Sequence, residues 1–286
     1  MNTTDSAAPT SAAANPLAQT GTQRWALVTG ASAGIGAAYA RELAARGCAL
    51  VLTARRTDRL EELAAELKAR HGTRSECIAA DLADPAAPGT LCAEVERRGI
   101  AIDILINNAG YGLPGHFTTP AWQSHLDFIQ VMMTAPCELV YKLLPGMQQR
   151  GYGRIANIAS LAGHIPGSAG HTLYGASKAF LIKFSQSLAS ENLGRGVHVC
   201  AVCPGFTYSE FHDVTGTRGV VSQMPKWMWL SAAEVARQGL DALERGEAVY
   251  VTGRVNRAIK ALLKLMPDRM ALRVIQKRSK NFRNQD

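Results

Sequence analysis

The chain has 286 residues, of which 47% are apolar and only 6% aromatic. No apolar run reaches the ~18 residues of a membrane-spanning helix, and the low aromatic content is unlike that of a β-sandwich. The net charge is +8, but residues 254–286 hold ten Lys/Arg and two Asp/Glu, so the other 21 basic and 21 acidic residues balance. The composition therefore argues against a membrane-spanning protein and predicts a soluble, electrically balanced body with a basic C-terminal segment.

Residues 1–22 mix Ala, Thr, Ser and Pro without periodicity and predict a disordered tail that lacks the pattern of a secretory signal. Six cysteines are scattered through segments that look buried or helical, which favours a reducing, cytoplasmic setting over disulfides. Cys200 and Cys203 have the spacing of a metal or redox motif. Their run is apolar and no second ligand pair follows, so we expect strand packing and no metal.

Short apolar runs alternate with longer amphipathic runs along most of the chain. This alternation predicts an α/β fold, a doubly wound, Rossmann-like parallel sheet of about seven strands with helices on both faces. The predicted strands are 25–29, 49–53, 75–79, 102–106, 154–159, 197–202 and 248–251. The predicted helices lie near 35–46, 57–70, 85–98, 121–150, 172–194 and 231–244.

The loop after the first strand is rich in glycine and leads directly into a helix. Glycine permits a tight turn, and free N–H groups at a helix N-terminus bind phosphate. Such a loop alone can be only a turn, but its place between the first strand and the first helix predicts a dinucleotide site. The candidate cofactor residues in this loop are Gly30, Ser32, Ala33, Gly34, Ile35 and Gly36.

The next three strands also end in candidate loops, at the edge where doubly wound sheets bind ligands. Arg55 and Arg56 favour the 2′-phosphate of NADP(H), unless they are simply solvated arginines at a strand end. Asp81 and Leu82 follow the third strand, where an adenine could be held. After the fourth strand, small and amide side chains suit packing beside a cofactor, or else begin a helix: Asn108, Ala109 and Gly110.

Tyr174 and Lys178 lie four residues apart on a predicted helix and therefore on one face of it. A nearby cation favours the phenolate, so the pair predicts a tyrosine whose pKa is lowered from ~10 and which can exchange protons. Taken alone, this spacing is also common on helix surfaces.

Five motifs occur in this order along the chain: Thr29-Gly-x-x-x-Gly34-Ile-Gly36, Asn107-Asn-Ala-Gly110, Ser160, Tyr174-x-x-x-Lys178 and Pro204-Gly205. They resemble the short-chain dehydrogenase/reductase family over roughly residues 24–252. The resemblance implies one cofactor-binding and catalytic domain at 23–253, followed by a basic amphipathic helical extension at 254–286. It also implies hydride transfer between NADP(H) and a carbonyl/secondary alcohol pair without a metal.

The resemblance assigns a role to each matching residue. Tyr174 would be the general acid or base, Ser160 would hold the substrate oxygen, and Lys178 would lower the pKa of the phenol and bind the nicotinamide ribose. Asn108 and Gly110 would line the cofactor. The nicotinamide would contact Pro204, Gly205 and Thr207. The resemblance further implies a homo-oligomer, a dimer or a tetramer.

Two positions depart from the family pattern. Met132 stands where many members have an asparagine that supports a water-mediated proton relay to the lysine, although the relay is described as using a backbone carbonyl that methionine retains. Ala33 stands where NADP enzymes often carry a basic residue, so the NADP prediction rests on Arg55 and Arg56. Met132 and the basic tail keep a second class open, a cofactor-binding regulatory or membrane-associated protein with weak or no catalysis.

The segment between residues 206 and 230 is unusually rich in aromatic and methionine side chains, and in the family it covers the substrate. Together with Tyr111, Leu113 and Phe117 it predicts an apolar small-molecule substrate, or else its side chains pack the segment onto the body. The side chains in question are Phe206, Tyr208, Phe211, Met224, Pro225, Trp227, Met228 and Trp229.

The tail from Arg254 onward is amphipathic. We expect one face with Val255, Ile259, Leu262 and Met266, and an opposite face with Arg257, Lys260 and Lys264. It caps the core or a dimer partner, lies on an anionic membrane, or recruits an acidic acyl carrier protein that would bring a 3-ketoacyl substrate. Charge alone would allow nucleic acid, but no reader motif is present and we expect none.

Overall fold

The computed structural model describes residues 23–113, 115–170, 172–208 and 225–280, with side chains as far as residue 275. The predicted tail at 1–22 and the aromatic-segment residues Phe211 and Met224 lie outside the described residues. The division of the chain at residue 253 stays a prediction.

Seven parallel strands form one sheet: β1 Trp25–Thr29, β2 Ala49–Ala54, β3 Ser75–Ala79, β4 Ile102–Asn107, β5 Gly153–Ile158, β6 Val197–Cys203 and β9 Val249–Val251. Their order across the sheet is β3-β2-β1-β4-β5-β6-β9. Two short strands, β7 Thr207–Tyr208 and β8 Leu230–Ser231, pair with each other outside this sheet. The prediction of a doubly wound parallel sheet is confirmed.

The helices are α1 Gly34–Ala45, α2 Thr57–His71, α3 Ala87–Arg97, α4 Trp122–Ile129, α5 Ala135–Gln149, α6 Thr172–Glu191, α7 Ala232–Glu244, α8 Arg254–Leu265 and α9 Asp268–Lys280. The single helix predicted over 121–150 is interrupted, because Gln130–Thr134 forms a π-helical turn between α4 and α5. In the tail, Pro267 separates α8 from α9, since proline cannot continue the hydrogen-bond ladder. Of the helices described, none has both the length and the hydropathy needed to cross a membrane.

The helices cover both faces of the sheet because alternate strand residues point to opposite sides. On β1, Ala26 and Val28 pack into a cluster with residues of α1, α2 and α7, whereas Leu27 packs into a second cluster with residues of α3, α5 and α6. With both faces buried, the loops at the carboxyl ends of the strands are the part of the sheet left accessible to a ligand.

Candidate active site

A cleft of about 1270 Å³ opens at the carboxyl ends of the strands. Parallel strands all point the same way, so the loops that follow β1 to β6 converge on this cleft. The predicted cofactor and catalytic residues line it, with the exception of Gly36, which lies beneath the first loop. The structure therefore brings the separate sequence motifs together in one place.

The loop between β1 and α1 packs closely against the loop after β4. Gly30 has a φ of +64°, and a Cβ added there would lie 2.9 Å from both Ala109 Cα and Asn108 Nδ2. A Cβ on Gly36 would collide with the Gly30 carbonyl. The N-cap of α1, Ala33, provides no side-chain hydrogen bond, so the first N–H groups of the helix are left for a phosphate. This glycine-lined backbone fits a dinucleotide diphosphate.

A buried hydroxyl joins these two loops. Thr29 Oγ1 accepts hydrogen bonds from the backbone N–H of Asn108 at 2.9 Å and of Ala109 at 3.0 Å, and donates to Ile106 O at 3.3 Å. Asn108 Nδ2 in turn donates to Thr29 O at 3.0 Å. Thr29 appears in the sequence motif, but its role was not predicted. A polar residue at the end of an otherwise apolar strand was the available signal.

The loops after β1, β2 and β3 form the end of the cleft where the adenosine is expected. Arg56 Nη2 donates to Ser32 Oγ at 3.2 Å, and Arg55 Nη1 lies 4.0 Å from the Asp81 carboxylate. The Arg55 side chain is 76% exposed. The Arg56 guanidinium beside a serine hydroxyl, with the exposed Arg55 guanidinium next to it in the chain, suits a phosphate, so the residues here fit the 2′-phosphate of NADP(H).

Helix α6 carries the predicted reacting pair, with Tyr174 in its first turn and Lys178 one turn later. Lys178 is 6% exposed, and its Nζ donates to the carbonyl of Ile158, the last residue of β5, at 2.7 Å. The ammonium lies 5.6 Å from the centre of the Tyr174 ring. Ser160, just beyond β5, forms a hydrogen bond with the Tyr174 side chain. Ser160, Tyr174 and Lys178 are therefore assembled at one point of the cleft.

The electrostatics of this trio differ from the sequence expectation. Burial raises the pKa of Tyr174, while the hydrogen bond with Ser160 opposes that rise. Burial also lowers the pKa of Lys178 to about 8. The expected lowering of the Tyr174 pKa is wrong for this structure, because desolvation of the buried phenol prevails. At neutral pH the phenol keeps its proton.

Met132 lies in the π-helical turn and is 1% exposed. A Cβ on Gly110 would lie 2.8 Å from its Sδ, so the thioether packs against the loop after β4 rather than lining the cleft. A π-turn at this point is consistent with a functional region, where such turns are frequent. The relay through the backbone of Met132 stays a prediction.

The two interpretations of the aromatic segment apply to different side chains. Phe206 and Met228 line the cleft, as do Tyr111 and Leu113. Tyr208 and Trp229 instead stack on each other with ring centres 4.6 Å apart. Phe117, predicted to face the cleft, packs on the His125 ring at 4.8 Å, outside the main cleft.

Four cleft residues in the tail were not predicted. Asn256, Ile259 and Leu263 of α8 and Ile275 of α9 all line the cleft. The predicted apolar face of the tail helix is rotated in the structure, since Leu262 is 63% exposed whereas its neighbour Leu263 faces the cleft. Residues 256, 259 and 263 have the spacing of one helical face. Because the first of them is the polar Asn256, a search for apolar periodicity does not identify this face.

Comparison with known proteins identifies relatives over most of the chain. The family model for short chain dehydrogenase matches residues 24–217. Nodulation protein G of Rhizobium sp. (strain N33) is 38% identical over 82% of this chain and 94% of its own length. The 3-oxoacyl-[acyl-carrier-protein] reductase FabG of Haemophilus influenzae is 32% identical over 80% of this chain and 93% of its own length.

Two solved structures share the fold and part of the sequence. A short-chain dehydrogenase from Sphingobium yanoikuyae in complex with NADPH is 34% identical, with a TM-score of 0.74 over 85% of this chain and 96% of its own. The bulky-bulky ketone specific alcohol dehydrogenase from Comamonas testosteroni is 31% identical and has a TM-score of 0.70. The match covers 85% of this chain and 95% of that chain. This chain therefore belongs to the short-chain dehydrogenase/reductase family and is an NADP-dependent oxidoreductase acting on a CH–OH/C=O pair.

Proposed function

We propose that the protein reduces the carbonyl group of an apolar small molecule, or oxidises the corresponding secondary alcohol, with Tyr174 as general acid or base. The observation that carries this proposal is the contact between Ser160 and Tyr174 beside the buried Lys178. A catalytically idle protein has no need to hold a phenol, a hydroxyl and an ammonium together at one end of a cofactor cleft.

Each group has a distinct part in the proposed reaction. NADPH supplies the hydride when bound. The residues after β1 would hold its diphosphate, and those after β4 would line it. Lys178 would bind the nicotinamide ribose, and Pro204, Gly205 and Thr207 would contact the nicotinamide. Ser160 would orient the substrate oxygen, and Tyr174 would give it a proton during reduction or take one during oxidation. The hydrogen bond between Ser160 and Tyr174 supports this role, because it opposes the rise in the phenol pKa that burial causes and places the two hydroxyl groups together.

The apolar substrate is supported by the lining of the cleft near these groups. Phe206, Met228 and Leu113 line it together with Ile165 and Pro166. Such a surface binds a substrate chiefly by removing apolar area from water. The Comamonas relative is described as specific for bulky ketones, which agrees with this chemistry. The alternative substrate is an acyl-carrier-bound 3-ketoacyl group, as the name of the Haemophilus relative suggests.

A panel of ketones, 3-ketoacyl thioesters and secondary alcohols tests the proposal. We expect NADPH-dependent reduction of apolar ketones, measured by the loss of NADPH absorbance. If NADPH binds but no panel member turns over, the alternative of a regulatory protein with weak or no catalysis is favoured.

Cofactor selectivity tests the phosphate site. We expect the double substitution Arg55→Ala and Arg56→Ala to raise the Kd for NADPH at least about 10-fold, because charge-assisted hydrogen bonds to the 2′-phosphate are lost. The Kd for NADH should hardly change. Arg59→Ala is the matched control, since Arg59 is an exposed arginine of α2 that pairs with Glu62 at 3.8 Å and does not line the cleft. Equal losses for NADPH and NADH would contradict the assignment.

We also propose a homo-oligomer, a dimer or a tetramer. Trp122 on α4 is 61% exposed and Tyr141 on α5 is 79% exposed, and large aromatic side chains at such exposure are typical of contact surfaces. Sedimentation velocity measures the assembly directly, and a single species with the mass of one chain would refute it.

The tail is proposed to bind an anionic membrane surface from a cytoplasmic setting. Leu262 and Leu265 on α8 are 63% and 85% exposed among basic residues, which is the pattern of an interfacial helix. All six cysteines are free, in agreement with a reducing compartment.

Vesicle flotation tests this surface. We expect the full chain to float with phosphatidylserine vesicles and Leu265→Glu to float several-fold less, whereas Leu193→Glu, at a site that is 80% exposed outside the tail, should float like the parent protein. Failure of the parent protein to float would remove the membrane proposal and leave the other two alternatives, a cap on the core or on a dimer partner and an acidic carrier protein.

A further inference from the structure

We infer that the C-terminal helices form one wall of the substrate pocket and that Ile259, Leu263 and Ile275 select substrates by the size of their apolar group. The inference rests on the proposed function and extends it, because it gives the tail a task inside the active site. Ile259, Leu263 and Ile275 line the same cleft as Tyr174 and Phe206. Neither the family match at residues 24–217 nor the sequence motifs include these positions.

Helix α8 is anchored at the reacting end of the cleft. Asn256, in its first turn, is 2% exposed, and its Nδ2 donates to Thr252 O at 2.8 Å. A Cβ added to Gly205 would collide with the Asn256 amide, so the start of α8 lies directly against the loop after β6. Arg257 Nη1 adds a bond to Val251 O at 3.2 Å. The position of the helix relative to Pro204 and Gly205 is thus fixed by close contact.

From this anchor the helix presents apolar side chains to the cleft along its length. Residues 256, 259 and 263 follow the spacing that places side chains on one helical face. With a rise of about 1.5 Å per residue, Ile259 lies ~4.5 Å and Leu263 ~10 Å along the axis from Asn256. The apolar wall of α8 therefore extends about two turns from the loop after β6, and Ile275 of α9 adds to it.

The neighbouring leucine provides a matched control. Leu262 and Leu263 are adjacent on α8, but Leu263 lines the cleft whereas Leu262 is 63% exposed and does not. Substitution of either residue by alanine changes the helix composition equally. A change in chain-length preference that occurs only in the Leu263 variant therefore reports on the cleft and not on the helix propensity of α8.

The test is the kcat/KM of NADPH-dependent reduction for methyl ketones of increasing chain length. We expect Leu263→Ala to raise the ratio of long-chain to short-chain kcat/KM by about 10-fold or more, the usual discrimination of an apolar pocket. Leu263→Trp should lower the ratio by a similar factor, and Leu262→Ala should leave it unchanged. A ratio that is the same in all four proteins would overturn the inference.

A binding measurement separates this inference from the proposed function. If the parent protein reduces none of the ketones, the proposed function fails, and the wall is then tested by titrating the same ketones into the NADPH-loaded protein and following NADPH fluorescence. A chain-length preference that shifts in opposite directions in Leu263→Ala and Leu263→Trp would support the wall. An unshifted preference in both would refute it without reference to turnover.

Discussion

Tyr174→Phe is expected to lower kcat by about 10²- to 10⁴-fold, the usual contribution of a positioned general acid or base. The substitution removes one oxygen atom and leaves a ring of nearly the same shape, so the buried packing around it is preserved. The Kd for NADPH should stay within about 2-fold of the parent value, because the residues proposed to hold the phosphates and the adenosine lie on other loops. Steady-state kinetics and fluorescence titration measure the two effects separately.

Tyr111→Phe is the control for this experiment. Tyr111 also lines the cleft, and burial raises its pKa to about 12, but it lies on the loop after β4 rather than beside Ser160. Its substitution removes a phenol oxygen without touching the Ser160–Tyr174 contact, so we expect a loss of kcat at least about 10-fold smaller than that of Tyr174→Phe. Equal losses of kcat in the two variants would show that the reaction needs polar cleft atoms in general and would contradict a proton-transfer role specific to Tyr174.

Gly36→Ala is expected to have the second largest effect, a loss of both stability and NADPH affinity. A Cβ at this position would collide with the Gly30 carbonyl and come 2.5 Å from Asn108 Nδ2, so the loop between β1 and α1 must shift. Overpacking of this kind costs about 1–3 kcal/mol of unfolding free energy. A shifted loop also misaligns the phosphate site, and we expect the Kd for NADPH to rise at least about 10-fold, or 1.4 kcal/mol. Chemical denaturation and NADPH titration measure these changes.

Gly89→Ala controls for the helical glycine itself. Gly89 is the third residue of α3, as Gly36 is of α1, but the nearest atom to an added Cβ is Glu138 Oε1 at an ordinary 3.5 Å. We expect unchanged NADPH binding and a stability that is equal or up to ~1 kcal/mol higher. NADPH binding by Gly36→Ala at parental affinity would mean that the loop tolerates the methyl group and would contradict the close-packing account.

Local patterns predicted the sheet and the cofactor loops because those signals are contained in short stretches of sequence. A window of a few residues is enough to recognise the strand β1, the glycines after it and Arg55. The π-helical turn at Gln130–Thr134 has no such signal, because it inserts one residue per turn without changing which residue types are used. For the same reason the sequence predicted one continuous helix over 121–150.

The electrostatics and the tail depend on tertiary structure and were therefore predicted less well. Spacing showed that Lys178 would lie near Tyr174, but not that burial of the phenol would raise its pKa. Likewise, periodicity identified α8 as amphipathic, whereas the choice between Leu262 and Leu263 as the inward residue depends on the anchor at Asn256. No short stretch of sequence can predict the contact between residues 205 and 256, because they lie far apart in the chain.

The strand order β3-β2-β1-β4-β5-β6-β9 has an evolutionary consequence. The side chains proposed to recognise the adenosine and diphosphate follow β1 to β3, while most of those proposed to contact the substrate follow β5, β6 and β9, on the other half of the sheet. Under these assignments, changes in the two halves have separate effects. A lineage that inherits this scaffold can exchange the segment after β9 and acquire new substrates while its cofactor preference is conserved.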